Sequence, residues 1–265
     1  MLKYLKANIK LFVTHMKPSP CIHHWLLCLV LGGTGASAAT ADTLKGLPIE
    51  GGYRAEYRVY WHGIYAAQAH QKVQRLTTDR YVAHMRVTPR FAFIPFEYDE
   101  KSLFFDAGSA IRPIQFTFKW REKKERLKGS VHFDWKKQRR IRSGDSSADT
   151  PANLVPLSQD KISLIFQLSR YLENNAPMAS GKKWHHSVVE AKKQKTYTFE
   201  SLPEELLSTP WGLLRSIKIK QSAENSERHS YLWFALDKQY LLLKIAQFKQ
   251  ERLMGYTLIH QLEQE

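Results

Sequence analysis

From Tyr53 onward the chain alternates apolar and polar residues with a period of two, a pattern that only a half-buried β-strand satisfies. Tyr53, Ala55, Tyr57, Val59 and Trp61 point one way and Arg54, Glu56 and Arg58 the other. His62-Gly63 supplies a tight hairpin turn into residues 64–76, and Thr77-Thr78-Asp79 turns again into residues 80–89. Strands are expected to continue at 96–105, 114–120, 127–135 and 139–142, and then at 184–190, 195–200, 213–221, 228–236, 240–249 and 252–262. This is the signature of an antiparallel meander, since nothing resembles alternating strand and helix units.

One segment breaks the alternation. Residues 158–174 place Ile162, Ile165, Phe166, Leu168, Ser169 and Leu172 on a broad apolar stripe, with Ser158 as the expected N-cap and Asp160 in the first turn. Asn174-Asn175-Ala176-Pro177 stops this helix. A flat sheet of about a dozen strands would leave long edges open. The expected fold class is therefore mainly β, a strongly curved antiparallel sheet or half-open β-barrel with one packed α-helix in its concave face. The small, polar residues 143–151 form an expected surface loop.

The first 41 residues read differently. Lys17, the apolar run from Trp25 to Leu31 and the small-residue sites Ala36-Ser37-Ala38 and Ala39-Thr40-Ala41 are the parts of a secretory signal peptide. Initiation at Met16 gives that leader the usual proportions. The expected organisation is a signal peptide over 1–41 and a single β domain over 42–265, exported to the periplasm of a Gram-negative bacterium. Cys28 follows Leu26-Leu27 rather than a small residue, which does not fit a lipid-modified precursor. No stretch after Asp42 is long and apolar enough for a transmembrane helix.

Both cysteines, Cys21 and Cys28, fall in the leader, so the exported chain has no thiol or disulfide. Thiolate zinc sites, iron-sulfur clusters and cysteine nucleophiles are excluded with them. The formal charge of +15 falls to +11 when Lys3, Lys6, Lys10 and Lys17 leave with the leader. Outside the cytosol such a surface meets no nucleic acid. Anionic lipid, a lipoprotein or another envelope protein are the expected partners.

Five short motifs occur in order: Gly52-Tyr53-Arg54-Ala55-Glu56-Tyr57-Arg58-Val59, Phe133-Asp134-Trp135, Asp160-Lys161-Ile162-Ser163-Leu164, Ser208-Thr209-Pro210-Trp211-Gly212 and Trp233-Phe234-Ala235-Leu236-Asp237. Together they resemble the DUF3108 family of exported bacterial proteins, from about residue 47 to 262. The chain departs from the pattern at Leu241-Leu242-Leu243, where a proline after the first leucine would be expected. The resemblance implies no catalytic residues. It implies an architecture similar in outline to the open-barrel lipoprotein carriers of the periplasm.

Candidate chemistry is sparse. There is no G-x-S-x-G nucleophile elbow. His185-His186 would face opposite sides of a strand and could not chelate one ion together, which leaves His62, His84 and His132 for any long-range site. Neither a metal nor a cofactor is expected. Glu97, Asp99 and Glu100 resemble a glycosidase carboxylate pair, but Glu97 and Asp99 share a strand face with no partner across a cleft. Asp134 and Asp160, each among apolar neighbours at an element end, are the acids to watch. Two basic hairpins carry a tryptophan: Trp120, Lys123, Lys124 and Arg126 in one, Trp135, Arg139 and Arg140 in the other. Such tips suit an anionic membrane surface. The expected function is non-catalytic binding of a lipid, lipoprotein or other hydrophobic envelope component in the concave face. The alternative is an interaction or assembly factor acting through the basic hairpins, and an envelope hydrolase is the third reading.

Overall fold

In the computed structural model, which describes residues 52–91, 96–122, 125–144, 151–190 and 194–264, the alternation becomes fifteen strands of one sheet. They are β1 (Tyr53–Trp61), β2 (Ile64–Arg75), β3 (Arg80–Pro89), β4 (Phe96–Asp106), β5 (Ile111–Glu122), β6 (Glu125–Asp134), β7 (Arg139–Gly144), β8 (Pro151–Asn153) and β9 (Gln159–Asp160). After α1 (Ser163–Asn174) come β10 (Lys183–Val189), β11 (Gln194–Thr209), β12 (Gly212–Ala223), β13 (Arg228–Ala235), β14 (Leu241–Lys249) and β15 (Arg252–Gln264). All described residues lie within the unit Ala39–Glu265. The proposed leader, with both cysteines, lies outside them, as do Lys123, Lys124 and the centre of the expected 143–151 loop.

The strand order runs β8 to β1 in reverse sequence, then β15 down to β9. The first and last strands meet in the middle, antiparallel, with Tyr57 opposite Ile259 and Trp61 opposite Gly255. The edges β8 and β9 are joined by residues 154–158 alone. A flat sheet of this size would be roughly 65–70 Å wide, and that link spans at most about 20 Å. The sheet must therefore curl until its edges nearly meet. Arg140 on β7 donates from Nε to Gln194 Oε1 on β11 at 2.8 Å, a side-chain contact across the gap.

Helix α1 fills the space so enclosed. Leu164, Leu168 and Leu172, spaced by four, pack against Trp184, Val188, Phe199, Ile217, Ile219, Leu232 and Phe234 of the second half. Ile162 and Phe166 join Phe104, Ile111, Phe116 and Phe133 of the first half, with the Phe104 and Phe166 rings 4.8 Å apart. Ile111 begins β5 ahead of the first β5–β6 pair, Gln115 with His132, so no β6 residue meets its backbone. Gln167 Oε1 accepts from its N–H and Gln159 Nε2 donates to its carbonyl, both at 2.8 Å. Arg170–Asp106 and Lys161–Glu100 ion pairs add to the grip of this segment on β4.

Two expectations are corrected. The helix starts at Ser163, not at residue 158, because Gln159 and Asp160 pair with β10 as the edge strand β9. Ser158 Oγ donates to Val155 O and caps no helix. Strand β11 runs to Thr209, well past residue 200, by absorbing Pro203 in an irregularity between Ser201 and Glu204.

Replacing Phe166 by alanine removes the ring that stacks on Phe104 at the junction of the two clusters. We expect a loss of about 3–5 kcal/mol in urea unfolding, far above the cost of truncating the half-exposed Ile165.

Candidate functional site

Both acids singled out in the sequence are engaged by neighbours close in the fold. Asp134 Oδ1 accepts the backbone N–H of Lys137 at 3.0 Å and its other oxygen lies 3.7 Å from Arg139, so it closes the β6–β7 turn. Asp160 is fully buried. Its Oδ1 accepts the N–H groups of Ile162 and Ser163, both at 2.8 Å, and Oδ2 accepts from Ser102 Oγ at 2.6 Å. Its own N–H donates to Ser163 Oγ at 3.0 Å. This reciprocal exchange between Asp160 and Ser163 holds the turn that leads into α1 and satisfies the N–H groups of Ile162 and Ser163 at its start. Burial pushes the carboxyl up to about 6, against the lowering effect of those hydrogen bonds.

The carboxylates of β4 divide by face as their spacing requires. Glu97 pairs with Lys119 at 3.3 Å. Asp99 takes His84 Nε2 and Arg86 Nη2, each at 2.8 Å. Burial would raise its carboxyl, but the hydrogen bonds from His84 and Arg86 hold it below the usual carboxylate range. Glu100 points to the other face and pairs with Lys161. His185 is exposed and His186 buried, on opposite sides of β10. His62 lies in the β1–β2 turn, His84 on β3 and His132 on β6. No group of three or more metal-ligating side chains gathers among the described residues.

The basic hairpins separate. Successive turns of an antiparallel meander alternate between its two edges, so the β5–β6 turn, with Trp120 and Arg126, lies on one edge and the β6–β7 turn, with Trp135, Arg139 and Arg140, on the other. The length of β6 sets them roughly 30 Å apart. Both tryptophans are half-buried parts of the packing. Trp135 donates from Nε1 to Pro113 O at 2.7 Å and stacks on Phe133, and Trp120 stacks on Tyr98. Arg140 is engaged by Gln194, while Arg126 is exposed.

Sequence reasoning missed what shares the β5–β6 edge. The β1–β2, β3–β4 and β14–β15 turns lie there too, and they carry three strongly exposed apolar side chains: Trp61 at 44%, Ile64 at 55% and Leu253 at 43%. Trp61 stands opposite both Ile64 and Gly255. Gly255 is required, because a Cβ there would lie 2.6 Å from Tyr60 O and 2.9 Å from the Trp61 ring. Arg90 lies over the Tyr65 ring at 4.8 Å and Arg58 at 5.4 Å. Arg90, Arg121, Arg126, Lys249 and Arg252 are exposed at this edge, where Lys249 pairs with Glu227 at 3.5 Å and Arg121 stands opposite Glu97.

Two concavities are relevant. Between α1 and the β13–β14 turn a pocket lined by Tyr53, Phe166, Ser169, Tyr240 and Leu242 encloses about 20 Å³, room for a water molecule and no acyl chain. A groove of about 460 Å³ lies instead on the polar face of β15, β1, β2 and β3.

The family model described as a protein of unknown function, DUF3108, matches residues 56–255. The chain belongs to the DUF3108 family. No curated protein matches this DUF3108 chain. Among solved structures it is similar to a beta-barrel-like DUF1849 protein from Brucella abortus, with 9% identity over 82% of this chain and 98% of that one and a TM-score of 0.55. At that identity the likeness is one of fold. A candidate lipoprotein from Parabacteroides distasonis aligns over 82% of this chain and 97% of its own at 14% identity and a TM-score of 0.39. A candidate exported protein with a YmcC-like fold from Bacteroides fragilis aligns over 81% and 96% at 10% identity and a TM-score of 0.34.

The buried titratable groups give a signed pH prediction. Folded Asp160 keeps its proton up to about 6, against 3.8 when unfolded, so its contribution to stability is largest in acid and is lost as pH rises through that window. His186 has the opposite sign, since burial lowers its imidazole from 6.5 to about 4 and its contribution is lost as pH falls through that range. Asp160→Asn keeps an acceptor for both amides and a donor for Ser102. Its stability relative to the parent should rise between about pH 4 and 6 in urea titrations, whereas Asp160→Ala should be less stable than Asp160→Asn throughout.

Proposed function

We propose that this DUF3108 protein is a non-catalytic, exported envelope protein that docks on an anionic membrane surface through the edge bearing Trp61, Ile64 and Leu253. What supports this reading is the exposure of Trp61, Ile64 and Leu253 together at one end of neighbouring strands, with Arg90 and Arg252 exposed on strand ends beside them. Isolated exposed leucines need no explanation, but an apolar tip ringed by arginine and lysine matches the two layers of a membrane interface. The tryptophan ring suits the headgroup boundary, and each nearby cation adds about 1 kcal/mol at an anionic surface. The leader expected over 1–41 and the charge of +11 without it support a location in the envelope, at the periplasmic side.

The reading moves the expected contact with lipid from the interior to the rim. Beside α1 the aromatic and leucine side chains fill the concave face, and the 20 Å³ pocket is far below what an acyl chain needs. The β6–β7 hairpin has no part in the contact, because it lies on the opposite edge. Lys123 and Lys124 lie outside the described residues and enter the reading by sequence alone, between Arg121 and Arg126.

Co-sedimentation with vesicles of phosphatidylglycerol and phosphatidylethanolamine tests this. Wild-type protein should sediment with them and not with phosphatidylcholine vesicles. Trp61→Ser with Leu253→Ser should weaken the partition at least about tenfold, given roughly 1 kcal/mol or more per apolar side chain inserted. Charge reversal at Lys123, Lys124 and Arg126 should weaken it comparably and remove most of its salt dependence. Failure of the wild-type protein to sediment with the anionic vesicles overturns the reading.

A further inference from the structure

Two guanidinium groups converge on one tyrosine ring close to the Trp61 edge. Arg58 on β1 and Arg90, which follows β3, lie over the Tyr65 ring at 5.4 and 4.8 Å from its centroid, so both charges stand within 5.4 Å of one point. The Arg58 side chain is half-buried and has one hydrogen bond, donated from Nη2 to His260 Nε2 at 2.6 Å, while its Nε is buried with no partner. A ring nitrogen that accepts carries no proton, so His260 orients the guanidinium without offsetting its charge. Arg90 is exposed, and its backbone N–H donates to Ala66 O at 2.9 Å, which fixes it beside the start of β2. Among the described residues neither guanidinium has a carboxylate oxygen within 4.0 Å, Glu56 on the same face of β1 included. Like charges held this close repel unless an anion is shared between them.

We infer that Arg58 and Arg90 clamp the phosphate of one phospholipid headgroup, with Tyr65, on the strand between them, as the platform that holds both side chains. A guanidinium seated on an aromatic ring still presents its fork of N–H groups, which matches a phosphate two charge-assisted bonds at a time. The position fits a lipid. Tyr65 follows Ile64 directly, and Arg58 stands three residues from Trp61, roughly 10 Å along β1. The polar layer on each side of a bilayer's hydrocarbon is roughly 5–8 Å thick. A tip of Trp61, Ile64 and Leu253 seated at the hydrocarbon boundary therefore places both guanidiniums near the depth of the phosphates. The assignment of the phosphate to a lipid rests on the docking proposed above, whereas the pairing of the two arginines does not.

Calorimetric titration of the full folded chain with dihexanoylphosphatidylglycerol below its micelle concentration, beside co-sedimentation with anionic vesicles, separates the headgroup site from the docking. The short-chain lipid should bind saturably, and more tightly than inorganic phosphate or dihexanoylphosphatidylcholine, whose phosphate is offset by its own ammonium. Arg58→Lys and Arg90→Lys keep the charge and lose the fork. Each should weaken binding of the short-chain lipid at least about tenfold, the loss expected for one charge-assisted contact, while sedimentation with anionic vesicles persists. Arg90 is exposed, so Arg90→Lys should melt with the parent and misfolding cannot mimic its loss. Arg139→Lys on the opposite edge should bind as the parent does. Sedimentation of the wild-type protein without saturable binding of the short-chain lipid, or parental affinity in Arg90→Lys, would overturn the headgroup site and leave the docking standing. Saturable binding without sedimentation would overturn the docking and support the paired arginines as a phosphate site. Inorganic phosphate binding as tightly as the short-chain lipid would overturn the lipid source in favour of free phosphate.

Discussion

The short link between the two outermost strands governs everything else in this structure. Residues 154–158 join β8 to β9, and a sheet of fifteen strands cannot lie flat when its extreme edges are tied so closely. Curling creates an interior that must be filled, because voids in a protein core forfeit dispersion contacts as well as burial. Helix α1 follows the link after only the two-residue strand β9 and is delivered into that interior by chain connectivity. Its two apolar faces then fasten to the two halves, Leu168 to one cluster and Phe166 to the other. The closure also explains why Gln159, Asp160 and Gln167 are buried polar residues. Gln159 and Gln167 saturate the Ile111 backbone beyond the end of the β5–β6 ladder, and Asp160 takes the buried Ser102 hydroxyl and the amides at the start of the helix.

Much of this was legible in the sequence because it is periodic. Alternation at Tyr53 to Trp61 and at Ile114 to Trp120 is set by local sterics and burial, and both strands appear where the pattern puts them. The His62-Gly63 turn was legible too, since both residues adopt positive φ, 48° and 81°. Pairings that depend on distant residues were not. Gln159 and Asp160 look like the first turn of a helix, and only the arrival of Val188 and Val189 makes them a strand. The strand expected at 195–200 stops short of Pro203, yet an irregularity absorbs that proline and lets the β11–β12 hairpin continue to Thr209.

The candidate sites show the same division. Asp134 and Asp160 attracted attention because acids among apolar neighbours are uncommon, and packing turned both into caps for turns and helices. Trp120 and Trp135 stand beside basic runs in the sequence, but their rings are committed to Tyr98 and Phe133. The surfaces that stand out in the fold are built from residues far apart in the chain: Trp61 beside Gly255, and Arg58 beside His260. No one-dimensional pattern records such neighbours, because register across the central seam decides them.

That seam has a consequence for how the chain matures. Every other antiparallel neighbour in the sheet is a hairpin partner close in sequence, whereas β1 waits for β15, the strand synthesised last. Until then β1 offers one row of unsatisfied backbone groups to whatever extended segment is at hand, including another copy of itself. Arg54, Glu56 and Arg58 place charge on the outer face of that strand, the kind of side chain that discourages edge pairing. The final zipper thus belongs to kinetics as much as to architecture: a nascent body stays open along its midline until its tail arrives.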